Sequence, residues 1–155
     1  MKKEDFIAEI TFQDDFFDKI NTSSKKFVHL IVIASKPDII KQAPLITELK
    51  KRDELLVIAH TGQHYDWNYS GAMEEEFEIN PDFNLNIKGA TYQKTAQIIE
   101  RLGMIIDAIQ KTGKIAVPYV HGDTSTCMAA SNAAYSNMAA CVHVEAGIRT
   151  MTPKK

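Results

Sequence analysis

From Phe27 onward the chain alternates short apolar runs with longer segments whose apolar residues recur at helical spacing. FVHLIVI (27–33) is rich in β-branched residues, which predicts a buried strand. Pro37 opens a helical segment carrying Ile40, Ala43 and Leu45; proline suits a first helical turn, whereas Pro44 further along predicts a bend. LLVIAH (55–60) predicts a second strand, residues 71–79 a helix, and LNI (85–87) a short third strand. The longest helical pattern, 91–111, sets Ile98, Ile99, Leu102, Ile105, Ile106 and Ile109 on one face and ends at Gly113 as a C-cap. KIAVPYV (114–120) predicts a fourth strand, in which Pro118 is awkward because proline lacks a ladder donor. An alanine-rich helix over 124–138, suited to close packing, and a fifth strand CVHV (141–144) complete the series.

Strands alternating with helices predict an α/β fold: a Rossmann-like parallel sheet with helices on both faces. Residues 1–26 stand apart as a helical prefix to the domain expected over 27–155. Phe6, Ile7, Ile10, Phe16, Phe17 and Ile20 are spaced as on a broken amphipathic helix, and Asn21 to Ser24 read as a loop. Six apolar residues left in water would be a liability, so the prefix is expected to pack on a surface, one outside this chain.

The 155 residues, 45% hydrophobic and 25% charged with formal net charge -2, suit one globular domain and carry no bias toward nucleic acid or an anionic membrane. No apolar run is long enough to span a bilayer, and the acidic N-terminus does not read as a signal peptide. Cys127 and Cys141 read as small buried thiols in a reducing cytoplasm.

Ligands of open α/β sheets bind beyond the carboxyl ends of the strands, and the unusual polar residues fall there. Strand one ends in Ser35-Lys36-Pro37-Asp38, strand two in His60-Thr61-Gly62-Gln63-His64, strand four in His121-Gly122-Asp123-Thr124, and strand five in Glu145-Ala146-Gly147-Ile148-Arg149. Such a rim has the composition of an active-site edge. Each residue also has a plainer reading. Asp123 could be only the N-cap of the next helix. Glu145 could be a solvated strand end, Lys36 and Lys41 helix-face charges, and His60, His121 and His143 satisfied strand histidines. The glycines would serve tight turns first. His60 and His64 lack the glutamate of a helical zinc motif, so no metal is expected. Neither GxGxxG nor a P-loop is present, and no nicotinamide or nucleotide-triphosphate cofactor is expected.

HGDT (121–124), an alanine-rich helix and then HVEAGIRT (143–150) resemble the non-hydrolysing UDP-N-acetylglucosamine 2-epimerases of bacteria and archaea. TGQH (61–64), PDFNLNI (81–87) and PDIIKQAPL (37–45) match the same family in the same order, so the resemblance runs from about Phe27 to Thr150. It implies one half of a two-domain glycosyltransferase-B-like architecture, with the active site between the domains and UDP-sugar as substrate. The implied reaction interconverts UDP-GlcNAc and UDP-ManNAc by elimination and re-addition of UDP, a step in cell-envelope polysaccharide biosynthesis. By resemblance Asp123, Glu145 and Lys41 are catalytic, and Lys36, Asp38, His121 and Arg149 bind substrate. Gln63 and His64 match positions at which the family binds a second, activating UDP-GlcNAc. Full-length members are implied to be homodimers. The chain stops before the family's second domain, so it is expected to be inactive alone and to need that domain or a partner chain; a non-catalytic remnant and a hydrolysing epimerase are the alternatives.

The chain departs from the family pattern in three places. Ala34-Ser35-Lys36 stands where the family has glycine–threonine–arginine, which keeps the charge but loses the bidentate fork for phosphate. Asp38 replaces a glutamate, shortening its reach, and Pro118 interrupts a strand that is otherwise plainly apolar.

Overall fold

The computed structural model describes residues 1–62 and 71–147. A 3-10 turn at Lys3–Asp5 leads into β1 (Thr11–Phe12) and α1 (Phe16–Thr22). The repeating part follows as β2 (Phe27–Ile33), α2 (Lys36–Lys51), β3 (Leu56–His60), α3 (Gly71–Glu76), β4 (Phe83–Asn84), α4 (Thr91–Lys111), β5 (Ile115–His121), α5 (Ser125–Ser136) and β6 (Val142–Val144). The strands form one sheet in the order β1-β4-β3-β2-β5-β6. β2 through β6 are parallel neighbours, and β1 joins antiparallel to β4 at Thr11↔Asn84 and Phe12↔Phe83.

The alternation inside β2 explains the two-faced core. Val28, Leu30 and Val32 enter one cluster with α1, α4 and α5, while Ile31 and Ile33 enter another with α2. Helices therefore cover both faces, as the sequence predicts. α4 buries Ile98, Leu102, Ile105, Ile106 and Ile109, a full stripe at 3.6-residue spacing, and matches the predicted 91–111. α5 meets the sheet through Ala129, Ala130, Ala133 and Ala134, all fully buried; these small side chains let the helix approach closely.

The prefix differs from its prediction. It is mostly irregular, with one seven-residue helix and a strand, and the surface it packs on is this domain's own. Ile10, Phe16 and Ile20 lie inside the main core, and Phe6, Ile7, Phe12 and Phe17 pack against it. Phe12 stacks on Phe16 at a centroid distance of 5.1 Å, and both rings reach Phe83 of β4. Lys19 on α1 adds an ion pair at 2.5 Å to the largely buried Asp82, whose second oxygen accepts from Ile58 N–H at 2.7 Å. Burial pushes the Asp82 carboxyl above its usual range despite that lysine.

The third strand also shifts, from the predicted 85–87 to Phe83–Asn84. Asn86 adopts φ 51, which breaks the extended path, and the buried Arg101 takes over the carbonyls there, donating to Leu85 O and Asn86 O. Pro118 is accommodated by register. Ile115 N–H donates to Lys26 O on the β2 side, so by strand alternation position 118 faces the β6 side. The ladder with β6 begins one residue later, at Tyr119↔Val142, so the missing donor is not needed. Pro44 lies on the exposed side of α2 with Ile40, whose carbonyl it leaves without a helical donor, and the helix continues through it to Lys51. Among the described residues no helix is long and apolar enough to cross a membrane.

The prefix should therefore behave as core. Phe16→Ala is expected to cost about 3–5 kcal/mol in chemical denaturation, the usual result of emptying a buried aromatic site. A loss below about 1 kcal/mol would show that the prefix docks without contributing to stability.

Candidate active site

The chain leaves β2 toward β3 on one side of the sheet and returns to β5 on the other, so the gap beyond the carboxyl ends of β2 and β5 is the topological switch point. A cleft of about 380 Å³ opens there, lined by Ser35, Pro37, Asp38, His121, Gly122, Asp123, Thr124, His143, Glu145 and Gly147. Three of the four predicted strand ends meet in it.

Asp38 sits in the first turn of α2 and is 3% exposed. Its Oδ2 accepts from Ala34 N–H at 3.1 Å, Ser35 N–H at 3.0 Å and the Ser35 hydroxyl at 2.9 Å. Its Oδ1 lies 2.9 Å from His121 Nδ1. Both oxygens are thus engaged inside the protein. Asp38, expected to bind substrate, instead ties the end of β2 and the start of α2 to β5.

His121 ends β5 at 8% exposure, with Nε2 2.8 Å from Glu145 Oε2. It too was expected on the substrate, and both of its ring nitrogens are spoken for. Glu145 Oε1 accepts from Lys41 Nζ at 2.6 Å. Lys41 and Asp38 are three apart on α2 and so share a helix face. Donation by Lys41 and then by His121 holds the Glu145 carboxyl below its usual range, outweighing the desolvation that opposes them. Glu145 adopts φ 59, the left-handed region that non-glycine residues seldom occupy, and such strained positions collect at functional sites.

Asp123 is exposed in the cleft, and it is not the N-cap of α5. Thr124 fills that role, its hydroxyl accepting from Cys127 N–H at 3.1 Å. The purely structural reading of Asp123 therefore falls away. His143 forms part of the wall and donates from Nε2 to Gly122 O at 2.6 Å, with Cys127 Sγ 3.4 Å from the same nitrogen. Lys36 is half-buried at the first position of α2, beside the cleft.

The end of β3 forms a separate cluster. Gly62 N–H donates to His60 Nδ1 at 2.9 Å, so the ring's proton sits on Nε2, 3.4 Å from Glu74 Oε1. Burial pushes the Glu74 carboxyl up. Gly62 has φ 77, and a Cβ there would come within 2.5 Å of Asn84 Oδ1 and 3.0 Å of the Asn86 backbone, so only glycine fits. Gln63, His64 and Arg149, three predicted site residues, lie outside the described residues.

Residues 47–154 match the sequence profile of a family described as UDP-N-acetylglucosamine 2-epimerase. A UDP-N-acetylglucosamine 2-epimerase of Bacillus subtilis is 39% identical over 127 residues, covering 81% of this chain and 33% of that protein. One from Methanocaldococcus jannaschii is 36% identical over 124 residues, covering 77% and 32%. The crystal structure of a Methanocaldococcus jannaschii UDP-GlcNAc 2-epimerase in complex with UDP-GlcNAc and UDP superposes with a TM-score of 0.71 at 33% identity, over 79% of this chain and 33% of that one. The α/β sheet with polar strand ends gathered at its switch point is thus a fold this chain shares with solved UDP-GlcNAc 2-epimerases, whose architecture is glycosyltransferase-B-like. The chain belongs to the UDP-N-acetylglucosamine 2-epimerase family and spans about a third of the length of the relatives it matches.

The sequence brought Lys41, Glu145, Asp123 and His121 forward as site residues, and the fold gathers them. It missed Thr124 as the cap and His143 as a support of the Gly122 turn; the HGDT and HVEAG stretches that contain them were the signal.

Two measurements follow from this geometry. Thr124→Ala should cost about 1 kcal/mol of stability as a lost N-cap, while Asp123→Ala should stay within about 0.5 kcal/mol. The reverse order would restore the capping role to Asp123. Because the folded pKa of Glu145 is lowered, its ion-pair contribution is fully present above the ordinary value of 4.5 and is lost as pH falls through the lower folded value. Carboxyl NMR should accordingly find Glu145 titrating below 4.5, and Lys41→Met should move its midpoint upward; an unmoved midpoint would mean that the pair does not form in solution.

Proposed function

We propose that this chain forms the sugar-facing half of an enzyme that interconverts UDP-GlcNAc and UDP-ManNAc. The observation that carries this reading is the convergence of Asp123 and the Lys41–Glu145–His121–Asp38 chain on one cleft at the switch point. The C2 proton of the sugar is barely acidic, so a positioned carboxylate must take it while the C1–oxygen bond breaks and UDP leaves with the bonding pair. Return of UDP to C1, with a proton delivered to the opposite face of C2, completes the inversion. Asp123 and Glu145 are the two groups suited to these transfers, and Lys41 supports charge at the sugar or the departing phosphate. Lys36 and Arg149 are assigned to substrate, and Gln63 and His64 to a second, activating UDP-GlcNAc. The nucleotide requires a second domain, so this chain alone is expected to give no UDP-ManNAc when incubated with UDP-GlcNAc.

The decisive variants are Asp123→Asn and Glu145→Gln in a completed two-domain protein. Each should lower turnover at least about a hundredfold, the scale of a positioned acid or base. UDP affinity should change little, because these side chains face the sugar. Shape is nearly preserved, and neither is the helix cap, so the loss reports charge or proton transfer. Activity within a few-fold of the parent in both variants would remove them from the chemistry.

A further inference from the structure

The hydrogen count around His121 leaves one proton shared. Asp38 Oδ2 already accepts three donors, two of them backbone N–H groups, and has no room for a proton of its own. Those three donors favour the ionised carboxylate, so its Oδ1 accepts from His121 Nδ1–H at 2.9 Å. On the other edge of the ring, Nε2 and Glu145 Oε2 stand 2.8 Å apart. Two lone pairs cannot face each other at that distance, so the bond contains a hydrogen, carried either by the imidazole or by the carboxyl. Lys41 donating to the other oxygen of Glu145 favours the carboxylate, which leaves the hydrogen on Nε2.

Among the described residues, Val32, Val120, Thr124, Thr126 and Cys127 line a small pocket together with Asp38 and His121, and none of those five carries a formal charge. Burial pushes the Cys127 thiol up, which keeps it neutral. Asp123 and His143 line the open side of the cleft, and His143 is turned to Gly122 O and Cys127. Among the described residues, the charged groups bonded to His121 are thus Asp38 from α2 and Glu145 beyond β6, with Lys41 acting through Glu145.

We propose that His121 is a positioning residue that keeps a proton in reserve for Glu145, with Asp38 fixing the ring so that the reserve lies on Nε2. This rests on the epimerase reading above. In the protonating direction the Nε2–H bond breaks, its electron pair stays on the ring, and an O–H bond forms on Glu145 Oε2. That O–H bond then breaks as C2 of the eliminated sugar takes the proton and UDP bonds to C1. In the opposite direction C2 gives its proton to Oε2, and the neutral ring takes it up. Glu145 serves as acid when the ring is doubly protonated and as base when it is not, with charge conserved throughout.

Nitrogen NMR of the imidazole rings in the full chain tests this without substrate. In the parent both nitrogens of His121 should carry hydrogen, with Nδ1 bonded to Asp38. In Glu145→Gln, Nε2 should lose its hydrogen while Nδ1 stays bonded to Asp38. His121→Gln identifies the signal; if that variant does not fold, through-bond correlations in the parent identify it instead. A parent ring without hydrogen on Nε2, or a ring indifferent to Glu145→Gln, would overturn the proposal. Titrating UDP-GlcNAc into the completed two-domain protein separates the two levels. A charged ring with no perturbation at Asp123 overturns the substrate reading and with it the C2 step, whereas a neutral ring overturns the reserve alone.

Discussion

The carboxylate of Asp38 is 5% exposed and accepts four hydrogen bonds, and the rest of the site hangs from it. Hydrogen bonds to a charged group contribute about 1.5–3 kcal/mol each, and a buried charge without them is strongly unfavourable. The group is therefore held only if β2 ends, α2 begins and β5 stops at the positions observed. That constraint sets the rotational phase of α2, and the phase carries Lys41 to Glu145. The short Asp38 side chain keeps the carboxylate tucked against its own helix start, where it reaches Ala34 and Ser35.

The two carboxylates of the cleft differ in how they are held. Glu145 is gripped from both oxygens and sits on a backbone of positive φ, a conformation that persists only when its surroundings enforce it. Asp123 follows a glycine turn and projects from the rim, with the helix start beneath it capped by the neighbouring threonine. One group is fixed in a network and one stands open, an arrangement suited to a reaction that must reach a carbon from two faces.

Much of this was legible because it depends on local patterns. The apolar stripe of α4 and the alanines of α5 identify their helices, and polar residues at the ends of apolar runs identify the rim. What escaped was decided by contacts distant in sequence. Nothing in residues 85–87 announces that Arg101 will take their carbonyls, and nothing near Pro118 shows which neighbour its missing donor would face. The prefix looked like a helix seeking a partner because its apolar residues have helical spacing, yet Phe12 and Phe16 reach Phe83, and Phe6 and Phe17 pack on the same core. Asp38 came forward as a substrate group by the family resemblance alone; its burial and its bond to His121, 83 positions away, follow from the fold.

The antiparallel edge made by β1 has a consequence for the order of events during synthesis. Its residues join partners far along the chain: Asn86 donates to Glu9 O across 77 positions, and Lys19 to Asp82 across 63. Contacts of such separation close slowly, because the intervening loop must be ordered first. A chain emerging from the ribosome thus carries Phe6, Phe12, Phe16 and Phe17 in water until β4 has appeared. The segment that finishes one edge of the sheet is made before the strand it docks on, and in that interval its exposed aromatic residues are open to aggregation.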